Sequence, residues 1–529
     1  MLGLELVVVL AASVIVAGVA APYLRVAAPI LLLVIGAVLG FVPALREVSL
    51  PPEVMLLVFL PALLYWESLS TSLREMRRML RSIILMSTLL VVATAAAVAA
   101  VAHTFGLPWG PAWVLGAALA PTDATAVGVI ARHLPRRLVT ILRAESLVND
   151  GTALVIYGVA VGVTAGAERL SALHVTGLFA LSVVGGFAAG LVTAWLARFV
   201  YRRLDHPLQE NAVSVLTPFV AFLLAEAIHA SGVLAVVVAG LGVTRFAPRV
   251  IRADARQSVF AFWRLSTFLL NGALFVLVGL QLQSSVRGLT SVPIPTAVLG
   301  VVGVSLTVVG TRLAWMFTSP YVLRALDRRP VQRTRRVGAR ARIVSATSGF
   351  RGAVSLAAAL AVPEVTAAGG PFPYRDLIVF VVSGTIVATL VIQGLALPWV
   401  IRWARLPADT DVTEERELAE RLATEEAMAA MPVIAERLGT DDDVLKRTRA
   451  EYEKHLRVAQ TEGVEPEDAD HARRHRHDYA ELRLALIAHK RETMLRLRDE
   501  QRIDDLVLGE LQNKLDVEEV RLARRDAEA

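Results

Sequence analysis

The stretch Glu145-Ser146-Leu147-Val148-Asn149-Asp150-Gly151 carries the most specific chemistry in the chain. Ser146, Asn149 and Asp150 stand three and four residues apart, so on a helix they share one face. That face presents a hydroxyl, an amide and a carboxylate among apolar neighbours. Burial disfavours the charged form of a carboxylate, so an aspartate held there can trade a proton for a cation. The plainer alternative is a polar seam between packed helices. A second stretch, Ala120-Pro121-Thr122-Asp123, pairs a proline with oxygen donors. Pro121 brings no N–H and disfavours helix at the residue before it, which frees backbone carbonyls. Those carbonyls, the Thr122 hydroxyl and the Asp123 carboxylate are hard oxygen ligands, suited to a small alkali cation. Asp123 is equally suited to capping the half-helix that follows, a role compatible with an ion nearby.

A third stretch, Thr347 to Ser355, sets Arg351 between Gly349 and Gly352. The glycines permit irregular backbone, and the guanidinium brings a permanent charge. If buried it needs an anion, and Glu145 is the candidate partner; the alternative is that Arg351 snorkels to the interface. Glu67 either faces the interior or sits at the interface above Arg74. Glu226 is a lesser candidate of the same kind, and Asn271 reads as a packing hydrogen bond.

These groups matter because of where they sit. The chain has 529 residues, of which 55% are hydrophobic. The apolar residues fall into blocks of about 18 to 25, and about 20 such residues span a bilayer core. Ionisable groups inside such blocks are costly, and so mark function by default. The fold class is therefore an all-α polytopic membrane protein. About thirteen spans are expected: 3–20, 26–44, 51–70, 81–105, 110–132, 139–166, 171–200, 210–229, 232–246, 257–282, 296–322, 341–362 and 376–404. The 210–246 stretch also reads as one long pass, but Ser231-Gly232 breaks it. The segment 1–20 lacks the basic start of a signal peptide, and a retained first helix is expected.

Basic residues cluster in alternate loops, at Arg74–Arg81, Arg132–Arg137, Arg198–Arg203, Arg245–Arg256 and Arg324–Arg342. By the positive-inside rule this places the N-terminus outside and the C-terminus in the cytoplasm. Spans 5 and 12, interrupted at Pro121 and at Gly349/Gly352, are each the fifth helix of a six-helix set, 1–6 and 8–13. Paired interruptions in two halves point to two inverted repeats with a midplane transport site, and span 7 is then the linker between them. Gly36-x-x-x-Gly40 and Gly186-x-x-x-Gly190 permit close helix contact. Two regions follow: a transmembrane domain, 1–406, and a cytosolic helical tail, 407–529. The tail is rich in Glu, Arg, Ala and Leu, with helical spacing near 411–438, 441–461 and 470–525. Its basic cluster His471 to His477 is either a solvated face or a pH-sensing or lipid-headgroup site.

The chain has no cysteine, which excludes disulfides and thiolate chemistry, and its net charge of +6 does not suggest nucleic acid. No catalytic signature or cofactor motif is present, so neither an enzyme nor a cofactor is expected.

Residues 25–405 resemble the monovalent cation:proton antiporters of the Na+/H+ exchanger kind, especially the bacterial branch. The resemblance rests on Ala-Pro-Thr-Asp-Ala-Thr-Ala-Val, Glu-Ser-Leu-Val-Asn-Asp-Gly, Leu-Asn-Gly-Ala-Leu-Phe-Val-Leu-Val-Gly and Phe-Arg-Gly-Ala-Val-Ser-Leu, in that family's order. It implies thirteen helices, inverted six-helix repeats with crossed broken helices, and a homodimer whose core domains move against a dimer domain. It makes Asp150 the ion and proton carrier, supported by Asn149 and Ser146, with Thr122 offering oxygen to Na+. It places Asp123 at the helix crossing and pairs Glu145 with Arg351. The Asn-Asp form goes with electroneutral one-for-one exchange. Na+, with Li+, is the expected ion; a K+/H+ antiporter and a gated cation channel remain alternatives, and the expected site is the bacterial cell membrane. One departure stands out: many relatives place an acid directly after the Pro-x-Leu-Leu-aromatic run, whereas here Trp66 fills that place and Glu67 follows.

Overall fold

The computed structural model describes residues 2–24, 26–43, 55–71, 73–123, 134–166, 172–326, 338–406 and 410–460, with short stretches between 486 and 519. The chain forms two compact units, Met1–Ala408 and Asp409–Ala529. Among the described residues there is no strand, only isolated bridges. In the first unit α1 covers Leu2–Leu24, α2 Ala28–Leu39, α3 Leu60–Leu69, α4 Leu73–Thr104, α5 Trp109–Leu119, α6 Arg136–Thr164 and α7 Ala172–Tyr201. There follow α8 (Pro207–Glu226), α9 (Gly232–Val250), α10 (Ala253–Gly288), α11 (Ile294–Leu326), α12 (Ala339–Thr347), α13 (Ala353–Leu360) and α14 (Arg375–Ala404).

Each apolar segment marked in the sequence contains helix. Among the described residues nine helices are long and apolar enough to cross a membrane. Of the shorter ones, α5 and the α12–α13 pair end at interruptions. The segment 210–246 is two helices. Ser231 opens the second, its Oγ accepting from Leu234 N at 3.2 Å, a hydroxyl N-cap that satisfies one of the helix's free donors. The outward faces carry large apolar side chains, among them Val16, Val184, Leu306 and Ile392. A bilayer supplies the partners such faces lack in water.

α10 bridges the helix packing, lying against both α2 and α14. α9 lies against α3, α7 and α8, α4 packs on α5, α6 and α11, and α14 on α11, α12 and α13. The small-residue motifs serve contacts within the chain. Gly36 faces the backbone of Val276 and Gly279 that of Leu33 and Gly36, so α2 and α10 touch main chain to main chain. Gly186 and Gly190 meet the carbonyls of Ser231 and Ala235, which seats α7 on α9.

In the second unit, α15 (Thr410–Leu438) packs against α16 (Asp442–Gln460). The expected helical stretch 470–525 falls mostly outside the described residues, as do the cluster 471–477 and residues 124–133, which would continue span 5.

Candidate functional site

The two interruptions meet. α5 ends at Leu119, α12 ends at Thr347 and α13 begins at Ala353, leaving two extended connectors that cross antiparallel. Asp123 N donates to Phe350 O at 2.8 Å, a single sheet-like bridge inside a helical protein. Pro121 explains one break, because it cannot donate within a helix. Gly352 explains the other: it caps α13 and lies so close to Asp123 that a Cβ would strike the aspartate's carboxylate. The Asp123 carboxylate thus lies at the amino end of α13, where unsatisfied N–H groups and the helix dipole favour an anion. Its expected capping of the second half of span 5 concerns residues outside those described.

α6 brings the other half of the site. Ser146, Asn149 and Asp150 are all buried. Ser146 Oγ donates to Thr122 O at 2.8 Å, which ties α6 to the first break. Asn149 reaches the Thr122 hydroxyl at 3.0 Å. The amide is best satisfied with its oxygen on that hydroxyl and its nitrogen donating to the carbonyls of Glu145 and Ser87, at 3.2 and 3.3 Å. In the opposite orientation the oxygen faces carbonyl oxygens, which it cannot bond.

A cavity of about 50 Å³ opens beside these groups. A single water needs roughly 10–15 Å³ on this measure, so there is room for a cation and a few waters. Its polar lining includes Glu67, Thr122, Asp123, Ser146 and Asp150. Three carboxylates around one small space make a strong attraction for a cation. Glu67 therefore belongs to the cavity, one residue later in α3 than the resemblance would have it. Asn271 of α10 also lines the cavity instead of serving only as a packing contact, whereas Glu226 does not border it.

Ser355, the last residue of the third motif, is a site residue that spacing alone does not mark. Its hydroxyl is buried without a partner among the described residues, and its residue lines the cavity, so it is available as a further oxygen ligand. Its helical offset from Gly352 was the signal, but without the crossing nothing aims it inward.

The expected ion pair needs correction. Glu145 does pair with a buried guanidinium, but it is Arg312 of α11, at 2.5 Å. Arg312 Nε also donates to Ser345 O at 3.2 Å. Gly349 clears the way, since a Cβ there would overlap the Arg312 side chain. Arg351 is fully buried rather than snorkelling, and its contacts are backbone oxygens: Nε to Leu119 O at 2.7 Å and Nη1 to Gly349 O at 2.8 Å. Glu145 remains within electrostatic range of Arg351 without touching it. Arg312 is a lone charge inside span 11, and the sequence alone does not say which of the two arginines meets Glu145.

The transmembrane model of the sodium/hydrogen exchangers matches residues 8–403. This chain belongs to the sodium/hydrogen exchanger family. A relative from Mycobacterium tuberculosis (strain ATCC 25618 / H37Rv), an uncharacterized Na(+)/H(+) exchanger, is 44% identical over 98% of this chain and 96% of its own length. The sodium, potassium, lithium and rubidium/H(+) antiporter of Bacillus pumilus (strain SAFR-032) is 30% identical over 70% of this chain and 57% of its own. In fold, the exchanger resembles the sodium proton antiporter MjNhaP1 of Methanocaldococcus jannaschii, with a TM-score of 0.56 at 16% identity, covering 76% of this chain and 99% of that one. A multi-pass antiporter fold is thereby established.

Proposed function

We propose that this exchanger is a secondary transporter that swaps Na+, and also Li+, for protons, one for one. The observation that supports it is the convergence of Asp150, Thr122 and Asp123 on one buried cavity at the crossing of two broken helices. Ionised Asp150 accepts the cation together with oxygens of Thr122 and Ser146; protonated Asp150 releases it. Asn149 orients Thr122, and Glu67 adds negative charge at the rim. The loaded and the protonated site cross the barrier with the same net charge, one unit less negative than that of the empty site. The empty, charged site does not, because an unpaired buried carboxylate costs several kcal/mol. Exchange is then driven by the difference in affinity between the two protonation states.

On the family resemblance we further assign a homodimer in the plasma membrane, and on the alternating loop charge an outside N-terminus and a cytoplasmic C-terminus. A broader cation range, including K+, is the second reading, favoured by the name of the Bacillus pumilus relative.

The test is dissipation of a pH gradient in proteoliposomes at clamped voltage, on addition of Na+, Li+ or K+. The wild type moves protons with a cation and without voltage dependence. Asp150→Asn abolishes the exchange while keeping the wild-type melting temperature. Retained exchange in that variant sinks the carrier assignment, and conductance without proton coupling would replace the antiporter by a channel.

A further inference from the structure

Away from the ion cavity, the ends of α7, α8, α9 and α10 enclose a second space of about 780 Å³. Arg198 and Arg202 come from α7 and its end, Arg245 and Arg249 from α9, and Arg252 from the start of α10. The lining also holds two carboxylates, Asp205 and Glu210. Glu210 is fully buried, its Oε2 accepting from Arg252 N at 3.2 Å and its Oε1 without a hydrogen-bond partner among the described residues. Arg252 in turn donates to Asp205 O at 2.6 Å and lies 3.7 Å from Asp254. For Arg198, Arg202, Arg245 and Arg249 no carboxylate lies within ion-pair distance among the described residues.

Helix dipoles account for part of this charge, since Arg198 and Arg249 stand in last turns. They do not account for four guanidinium groups converging on one open space from two helices. The wall beside them is apolar and faces outward: Leu191, Val192, Trp195 and Leu196 of α7 are all exposed. Trp195 lines the cleft itself. An exposed indole next to arginines is the composition of a membrane interface. A soluble anion would use the arginines and ignore this wall, whereas an amphiphile uses both.

We propose that this cleft binds the headgroup of an anionic phospholipid, its phosphate held by Arg198, Arg202, Arg245 and Arg249 and its acyl chains lying along α7. Basic pockets between spanning helices take such headgroups readily, through their positive charge. The site is separate from the ion cavity, so it stands whether or not the transport reading holds.

The test uses the full-length protein in a zwitterionic detergent, titrated with short-chain phosphatidylglycerol, with phosphatidylcholine and with inorganic phosphate. Melting temperature and tryptophan fluorescence are the readouts. Phosphatidylglycerol raises the melting temperature saturably; phosphatidylcholine and inorganic phosphate do not. In R245Q/R249Q the half-saturating concentration rises at least fivefold, and in R245K/R249K it stays within about twofold of wild type. Native mass spectrometry of the wild type alone gives an independent reading, with phosphatidylglycerol retained in preference to phosphatidylcholine. An equal response to phosphatidylcholine, or an undiminished response in R245Q/R249Q, overturns the proposal. So does a full response to inorganic phosphate, which would make the cleft a site for a soluble anion.

Discussion

The two helix breaks cross in the same place but solve opposite problems. The first, at Pro121, ends α5 and leaves carbonyls without donors; the second, at Gly352, starts α13 and leaves N–H groups without acceptors. Each is completed by the charged residue of the other. Arg351, from the second break, donates to the carbonyl of Leu119 at the end of α5. Asp123, from the first, sets its carboxylate against the start of α13. A cation thus lies at a negative helix end and an anion at a positive one, which the helix dipole favours in both cases. The comparison teaches that each charge answers the helix end of the other break, Arg351 by bonds to backbone carbonyls and Asp123 by its place at the start of α13. It also frees Glu145 for Arg312, a pair lying between the core helices α6 and α11.

The sharpest way to break this arrangement is Gly352→Ala. Its Cβ would have to displace the Asp123 carboxylate, and a shift of about 1 Å at a reacting site can cost about 100-fold in rate. We expect exchange in proteoliposomes to fall by at least about 100-fold. Near-normal exchange would show that the two breaks are not so tightly locked. Next comes Arg312→Met, which leaves Glu145 buried and uncompensated, at a cost of about 3–5 kcal/mol. Denaturant unfolding in detergent should show it, and the double variant R312M/E145Q should recover most of the loss. A nearly neutral R312M would show that Arg312 is not what holds the Glu145 carboxylate. The smallest effect is expected for Asp123→Asn, which keeps the shape and removes the charge at a helix start, worth about 0.3–2 kcal/mol. A matching small fall in unfolding free energy, with exchange retained, identifies a helix-end anion. Lost exchange at unchanged stability identifies an ion ligand.

Much of this was legible in the sequence. Span lengths follow from bilayer thickness, and the breaks follow from Pro121 and from the Gly349/Gly352 pair. Ser146, Asn149 and Asp150 share a face by helical spacing alone. What spacing cannot reveal is which helices become neighbours. Nothing in the pattern therefore says that Glu145 meets Arg312, the lone charge of span 11, rather than Arg351 between its glycines. Ser355 was missed for the same reason: a hydroxyl in a small-residue helix becomes interesting only once a cavity faces it. Glu67 ran the other way. Its register departs from that of many relatives, yet α3 still delivers it to the cavity.

The main-chain seams at Gly36/Gly279 and at Gly186/Gly190 have a practical consequence for anyone wishing to isolate single copies of this exchanger. Small-residue motifs invite the experimenter to enlarge them and watch subunits separate. Here the bulky replacement would wedge apart helices of one chain, so any change of assembly that followed would be a symptom of a misfolded protomer. Separation by design has to be aimed at outward-facing side chains, leaving these glycines untouched.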